Sequence, residues 1–417
     1  MSSIHQTAAS PPIDSVAATT APGTDGRAYR MSSLDMLRGL VIVLMALDHV
    51  RDFLMTAAVQ DPTADPSTSP LLFATRWITH FCAPTFVFLA GTSAGLMASR
   101  KSPAEVASFL LTRGLWLIVL EALLISPTWS FAPTGIAELG GRTYVALQVI
   151  WVIGASMVVL AGAQFLGRRA CLVIGAAILL GHNLLDPIWP AASTTGSTAP
   201  VWAALHARQL YEVGPLAFFF SYPLLPWTGV MLVGYGAAAL FELPEKLRNQ
   251  RLLRIGVGLV TAFIVLRALN VYGDPHPWEF DANRATASVM SFLGTTKYPP
   301  SLLYLLMTLG PAAIACAFIE RVQGPLRTAL VTLGRAPLAF YIAHLYLIHT
   351  AAILCGIAQG YAPQQFLTHY RFFPQGFGVG LAGVYLIWIA VVAVLYPLCR
   401  WVAAAKARRR DWWLSYV

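Results

Sequence analysis

One apolar stretch near the amino end of the chain carries more charge than a membrane helix normally tolerates. Residues 33–56 read S-L-D-M-L-R-G-L-V-I-V-L-M-A-L-D-H-V-R-D-F-L-M-T, which is long enough to cross a bilayer. Ionisable groups inside such a segment are expensive and usually face a bundle interior or a watery cavity, so they point to function. At about 1.5 Å of rise per residue, Asp35 and Asp48 lie roughly 20 Å apart along one helix. The two charged ends are therefore predicted at opposite membrane faces.

The composition of the whole chain indicates a membrane-embedded fold. Of 417 residues, 57% are hydrophobic and only 11% are charged, whereas soluble domains contain about 25% charged residues. At roughly 20 apolar residues per span, we predict an all-α, polytopic bundle with about ten transmembrane helices. The predicted spans are 34–56, 77–99, 105–126, 143–164, 170–186, 214–241, 252–272, 299–319, 328–357 and 379–403. The long connection 186–213 is predicted to contain an interfacial helix.

Lysine and arginine concentrate in alternate loops. Arg100–Lys101, Arg168–Arg169 and the run 406–410 lie on one predicted side, where the connections are short. Because such basic loops stay on the cytoplasmic side, both termini are predicted to be cytoplasmic. The formal net charge of +9 then reflects topology and the lipid surface, and no nucleic-acid partner is expected.

The chain divides into three parts by composition. Residues 1–30 are rich in Ala, Thr, Ser and Pro and have no apolar core, so we predict a disordered cytoplasmic tail rather than a signal peptide. Residues 31–405 form the predicted transmembrane domain, and 406–417 form a basic cytoplasmic tail. The five cysteines stand singly in apolar segments, which favours buried thiols over disulfides or a zinc site.

Polar residues gather at the predicted outer side. They include the carboxylates Asp48 and Asp52, the cation Arg76, and six of the nine histidines, His49, His80, His182, His206, His344 and His349. For any single histidine a structural hydrogen bond is the simpler interpretation, but the clustering favours function. A carboxylate bound to one imidazole nitrogen makes the other more basic. Such a histidine could activate a hydroxyl or an amine, carry an acyl group, or relay protons in a transporter.

Several other kinds of site are not indicated by the sequence. His344 and His349 are five residues apart and so do not share a helix face, and no full set of metal ligands has a recognised spacing. We therefore predict no metal. The chain also contains no G-x-S-x-G nucleophile motif, no P-loop and no dinucleotide fingerprint.

The predicted cytoplasmic side has its own charged group. Asp35 and Arg38 are three residues apart and can pair on one helix face. They could form a structural ion pair that anchors the helix end. Alternatively, Arg38 could contribute to a phosphate-binding rim, because arginine forks suit phosphate. The other members of that predicted rim are Arg100, Lys101, Arg113 and Arg335.

Four segments resemble a known family. They are residues 33–53, the run W-I-T-H-F-C-A-P-T-F-V-F-L-A-G-T-S-A-G, the run Y-P-L-L-P-W-T-G-V-M-L-V-G-Y and the run G-R-A-P-L-A-F-Y-I-A-H-L. In this order they resemble the bacterial branch of heparan-α-glucosaminide N-acetyltransferase-like membrane proteins, within the transmembrane acyltransferases. The resemblance extends over roughly 31–405. It implies transfer of an acetyl group from cytoplasmic acetyl-CoA to an acceptor at the outer face of the inner membrane, and the acceptor class that it implies is a sugar.

The resemblance also implies a catalytic histidine near the first two spans. His49 and His80 are the matching candidates, whereas the loop 59–76 lacks the histidine that lysosomal relatives carry there. Our leading hypothesis places Asp48 beside one of these two histidines. It assigns the acceptor to Asp52, Arg76, His182 and His344, and the CoA phosphates to the cytoplasmic rim.

Two alternatives to an enzyme stay open at this stage. A proton-coupled transporter or flippase would use Asp48 and His49 as its relay, and a structural membrane protein would have no turnover. The identity of the acceptor, the acyl chain, direct or two-step transfer and a homodimeric state are all left open by the sequence.

Overall fold

A computed structural model describes residues 32–56, 61–65, 67–187, 199–409 and 411. The predicted tail 1–30 and most of the basic tail 406–417 lie outside these residues or at their edge. The helices are α1 Ser32–Leu54, α2 Pro70–Thr79, α3 Cys82–Ala98, α4 Pro103–Leu120, α5 Val149–Ala163, α6 Arg168–Gly181, α7 Ala199–Leu205, α8 Leu224–Phe241, α9 Glu245–Leu269, α10 Ala285–Leu293, α11 Leu302–Phe318, α12 Gly324–Arg335, α13 Pro337–Ala358 and α14 Leu381–Arg408. The strands are β1 Thr143–Leu147, β2 Gln209–Val213 and β3 Leu216–Phe220.

The helices confirm the predicted polytopic membrane bundle. Among the described residues, nine segments are long and apolar enough to span a membrane. Helix α1, with 23 residues, is the first of the ten predicted spans. It is additional to those nine segments and differs from them by its charged groups. Below, the end of α1 that carries Asp35 is called the inner end, and the end that carries Asp52 is called the outer end.

Four predicted spans are interrupted, and the segment 77–99 is divided between α2 and α3. The segments 143–164 and 214–241 each begin as a β-strand, and their helices start only at Val149 and Leu224. The segment 328–357 divides into α12 and α13 at Ala336, whose backbone angles are φ −124° and ψ 44°. Proline disfavours helical geometry in the residue before it, so Pro337 accounts for this break.

The strands form a small sheet in the order β1-β3-β2. Strand β1 runs parallel to β3, with Leu147 opposite Phe220, and β2 runs antiparallel to β3. Apolar runs of five residues cannot be assigned to strand or helix by periodicity, which is why the sheet was not predicted. The sheet brings the ends of β1 and β3 together. Ser221, which follows β3, donates its N–H to the carbonyl oxygen of Leu147, the last residue of β1, at 3.1 Å.

Helix α1 lies inside the bundle and packs against α2, α3, α12, α13 and α14. Its contact with α12 is especially close, since a Cβ at Gly39 would overlap the carbonyl oxygen of Leu330 and a Cβ at Gly334 would overlap that of Asp35. Small residues permit such backbone approach in membrane helices. The charged ends of α1 are therefore enclosed by protein rather than lipid.

Candidate active site

The carboxylates at the outer end of α1 are bound by arginines. Asp48 accepts from Arg51 Nη2 at 3.0 Å through one oxygen and from Arg76 Nη1 through the other. Arg51 also donates to Asp52 at 2.6 Å. Asp48, Arg51 and Arg76 are 7%, 1% and 5% exposed. Buried charges need such partners to offset desolvation. The predicted contact of Asp48 with a histidine is therefore not made: both its oxygens go to guanidinium groups.

His49 instead contacts His344. The two rings stack with centroids 4.9 Å apart, and His49 Nδ1 lies 2.8 Å from His344 Nε2. His344 Nδ1 lies 3.1 Å from the carbonyl oxygen of Phe340. A carbonyl can only accept, so His344 carries its proton on Nδ1 and, when neutral, accepts at Nε2. His49 then donates from Nδ1, and its Nε2 keeps a free lone pair.

A small cavity lies beside His49. Its volume is about 30 Å³, which is room for about two water molecules. Its polar lining residues include Asp48, His49, Gln148, Tyr222, Lys297 and Tyr341. His49 is partly exposed to this space, while His344 behind it is fully buried. His49 therefore lines the cavity while its Nδ1 is engaged by a histidine that does not line it.

Two aromatic rings pack against the imidazole of His49. Trp129 meets the imidazole edge-on with centroids 5.3 Å apart, and Tyr341 does so at 6.4 Å. Trp129 follows a π-helical turn, Glu121–Ile125, at the end of α4, and such turns occur frequently at functional sites. Farther out, both ring nitrogens of His349 face carbonyl oxygens, of Thr128 at 2.7 Å and Phe366 at 2.8 Å. That histidine fastens α13 to two loops.

His80 lies at the break between α2 and α3, away from the cavity surface. Pro84 cannot donate a backbone hydrogen bond, so the carbonyl of His80 accepts from the Tyr304 hydroxyl at 2.8 Å instead. Its side chain is 1% exposed, and among the described residues neither ring nitrogen has a hydrogen-bond partner. Its neighbours Thr79 and Cys82 line the cavity, but His80 does not.

His182, a predicted substrate contact, belongs to a separate group. Its ring lies 5.7 Å from that of His206, which is 3.0 Å from Asp186. Asn183 donates to the same carboxylate at 2.7 Å. None of the contacts between described residues joins His182 to His49 or His344. The structure thus brings together only part of the predicted outer cluster.

The inner end of α1 is arranged differently. Asp35 binds Arg38 at 2.8 Å and Arg335 at 3.4 Å, and Arg38 also donates to Ser93 at 2.6 Å. The side chains of Arg38 and Arg335 are 21% and 40% exposed. The structure therefore joins two members of the predicted phosphate rim through one carboxylate.

Of the remaining members of the predicted rim, Arg100 and Lys101 lie in the turn between α3 and α4, and Arg113 lies on α4. Arg100 is exposed, Lys101 pairs with Glu105 at 3.8 Å, and Arg113 lies over the ring of Phe109 at 5.9 Å. Both partners of the lysine pair are about half exposed, so this pair contributes little to stability.

Four of the polar residues that line the cavity had no role assigned from the sequence. They are Gln148, which follows β1, Tyr222 before α8, Tyr341 on α13, and Lys297. The sequence signal for Lys297 is its position before the run Y-P-P-S at a predicted span entry. No group of three or more His, Cys, Asp or Glu residues within the described parts of the chain could hold a metal ion.

Comparison with known proteins identifies the family. The sequence model described as heparan-alpha-glucosaminide N-acetyltransferase, catalytic, matches residues 30–273. The match covers α1 and the outer-end arginines and ends before α11, so Lys297 and His344 lie beyond it. A search of curated proteins found no match. Together with the membrane-spanning helices, the family match makes this a multi-pass membrane acetyltransferase, and the chain belongs to the heparan-alpha-glucosaminide N-acetyltransferase family.

Proposed function

We propose that the protein transfers an acetyl group from cytoplasmic acetyl-CoA to a sugar at the outer face of a bacterial-type inner membrane, with His49 as the general base. The observation that carries this proposal is the orientation of His49. Its Nδ1 is engaged by His344, and its ring borders the cavity. A general base must present a free lone pair within reach of the acceptor proton.

The chemical step balances with this one base. An acceptor hydroxyl or amine attacks the thioester carbonyl carbon while its proton passes to His49 Nε2. The carbonyl electron pair moves to oxygen, and the tetrahedral intermediate collapses with cleavage of the carbon–sulfur bond. The proton on His49 then neutralises the CoA thiolate. Asp48 acts through Arg51 and Arg76, which it holds in place, and it does not touch the imidazole.

We place the phosphates of CoA at the inner end. Arg38 and Arg335 converge on Asp35 and remain partly exposed, so a phosphate can approach both guanidinium groups. Arg100, Lys101 and Arg113 would extend this surface along α3 and α4. The thioester must then reach roughly 20 Å along α1 to His49.

The acetyl-CoA approaches His49 from the inner end, and we place the acceptor on the outer side of His49, near Trp129. An aromatic face suits a sugar ring, and the family description names a glucosaminide. A cavity of about 30 Å³ is far smaller than typical ligand sites of about 300 Å³ or more. The outer loops must therefore move before an acceptor enters. Asp52 and His182 would contact the acceptor only after the outer loops have moved.

The experiment uses the purified chain in proteoliposomes with acetyl-CoA on one side and glucosamine or glucose on the other. We expect release of CoA that requires the acceptor, and the pair of sugars separates an amine acceptor from a hydroxyl acceptor. No CoA release and no binding at millimolar acetyl-CoA would contradict the enzyme. Sugar-driven proton uptake without CoA release would favour the transporter.

A further inference from the structure

Lys297 presents a buried cation to the same cavity as His49. Its side chain is 6% exposed and lines the cavity. In the part of the chain that the structure describes, no carboxylate lies within 4.0 Å of its ammonium group. The nearest recorded contact of that group is the ring of Tyr298, whose centroid lies 5.2 Å away. The neighbouring arginines behave differently, because Arg51 and Arg76 both bind Asp48.

The backbone that carries Lys297 is held firmly by Asp274. This carboxylate accepts from Thr296 N at 2.8 Å, from Thr296 Oγ1 at 2.9 Å and from Ser301 Oγ at 2.6 Å. The side chain of Asp274 is 1% exposed. Both sides of the loop are thus fixed to one buried group, and Lys297 forms an isolated bridge with Pro300 between them. A charge held in this way needs little rearrangement during a reaction.

Burying an ammonium group without a salt-bridge partner is unfavourable unless a negative charge comes close to it. Asp48, the carboxylate among the cavity-lining residues, already binds two guanidinium groups. Acyl transfer creates an anion at this place, on the carbonyl oxygen of the thioester. A fixed donor in an enclosed site stabilises such a charge better than water does.

We propose that Lys297 is a catalytic residue that stabilises the oxyanion of the tetrahedral intermediate while His49 holds the acceptor proton. The inference rests on the proposed acetyl transfer and extends it. As the acceptor oxygen or nitrogen bonds to the carbonyl carbon, the carbonyl electron pair moves to oxygen, where the ammonium donates a hydrogen bond. When the carbon–sulfur bond breaks, the electron pair returns and the ammonium keeps its proton. Lys297 is therefore neither acylated nor deprotonated.

The test compares Lys297→Met, Lys297→Arg and the exposed control Lys246→Met in the acetyl-transfer assay. We expect Lys297→Met to lower kcat by about 100-fold, in line with loss of one oxyanion donor, and to change both KM values by less than about threefold. Lys297→Arg keeps the charge and should retain at least a tenth of the wild-type kcat. Lys246→Met should match the wild type. Mass spectrometry of the enzyme stopped during turnover should find Lys297 unmodified.

Three results would overturn the proposal. The first is a kcat of Lys297→Met within threefold of the wild type, and the second is a loss confined to the KM for the acceptor, which would make Lys297 a binding residue. The third is an acetylated Lys297. If Lys297→Met does not fold, Lys297→Gln is measured with the same thresholds. Acetyl transfer by the wild type with any of these results refutes only the role of Lys297, whereas no transfer by the wild type refutes the proposed function itself.

Discussion

The two ends of α1 carry similar charges but use them differently. At the inner end, Asp35 binds two arginines that remain 21% and 40% exposed. At the outer end, Asp48 binds two arginines that are almost completely buried, and His49 beside it faces a cavity. The carboxylates are thus paired at both ends. The difference lies in the groups around each carboxylate. At the inner end these are partly exposed guanidinium groups, and at the outer end they include an imidazole and a buried ammonium group that line a cavity.

This contrast shows which charged groups in a membrane helix indicate chemistry. A buried carboxylate is a poor indicator of chemistry when guanidinium groups occupy both its oxygens. A histidine that lines a cavity while one of its nitrogens is engaged by a second, buried histidine is a better indicator. On this basis we propose that the outer end is the reactive end and that the inner end binds anions.

The largest effect should follow substitution of His49. We expect His49→Gln to lower kcat by about 10²–10⁴-fold, the usual contribution of general acid–base catalysis. His80→Gln is the matched control, because His80 is a buried histidine whose neighbours Thr79 and Cys82 line the cavity while its own side chain does not. The measurement is CoA release by folded protein at saturating substrates. A larger loss in His80→Gln than in His49→Gln would reverse the assignment.

The next effect concerns stability at the two ends. Asp48→Asn removes the carboxylate that Arg51 and Arg76 share, which leaves Arg51 with Asp52 alone and Arg76 with the more distant Asp61 at 4.0 Å, and we expect a loss of about 3 kcal/mol in the free energy of unfolding. Asp35→Asn should lose only about 1 kcal/mol, because the arginines there reach solvent. Denaturant titration of both variants in one detergent makes the comparison. Equal losses would show that burial does not distinguish the two ends.

His344 should affect rate more than stability. His344→Phe removes the acceptor that orients His49, and we expect kcat to fall by roughly 100-fold, as expected for a misplaced catalytic group. His344→Gln places an amide oxygen near the original Nε2 and should recover most of the rate. The two kcat values are compared at equal amounts of folded enzyme. Equal rates in both variants would argue against an orienting role.

The smallest effect is a pH dependence that belongs to the outer region. Burial, with Arg371 nearby, lowers the pKa of His369 in the α13–α14 connection from 6.5 to about 3. Between these values the unfolded chain takes up a proton that the folded chain does not, so stability falls as pH drops below 6.5. We expect this group to cost about 2 kcal/mol on going from pH 8 to pH 5.

The variant His369→Asn isolates this contribution. Asparagine keeps an acceptor for the backbone N–H of Arg371, which His369 Nδ1 now accepts at 3.3 Å, and it does not titrate in this range. Unfolding measured at pH 8 and pH 5 should therefore show a smaller difference for the variant than for the wild type. An unchanged difference would mean that other groups cause the acid sensitivity.

The sequence predicted the helical bundle and the two charged ends of α1 because both are local properties. Hydropathy identified the spans, and the spacing from Asp35 to Asp48 separated the charges. The small sheet was missed because T-Y-V-A-L and L-A-F-F-F are too short and too apolar to distinguish strand from helix. The division at Ala336 could have been expected from Pro337.

The pairing within the site could not be read from one sequence. His49 and His344 are 295 residues apart, and nothing local joins them. Asp48 can bond to either a histidine or an arginine, and only the placement of Arg76 on α2 decides between them. In the sequence, Lys297 is one of several basic residues between predicted spans, and only the fold shows that it is buried beside the cavity. Residues that are distant in the chain thus determine which polar groups remain free.

A structure with an unreactive acetyl-CoA analogue in which a methylene replaces the thioester sulfur tests the central claim most directly. The quantity to measure is the distance from the carbonyl carbon of the analogue to His49 Nε2. We predict a distance within about 6 Å, which leaves room for one acceptor atom between the base and the carbon. A carbonyl group beside His80, or one held at the inner end far from both histidines, would contradict the account.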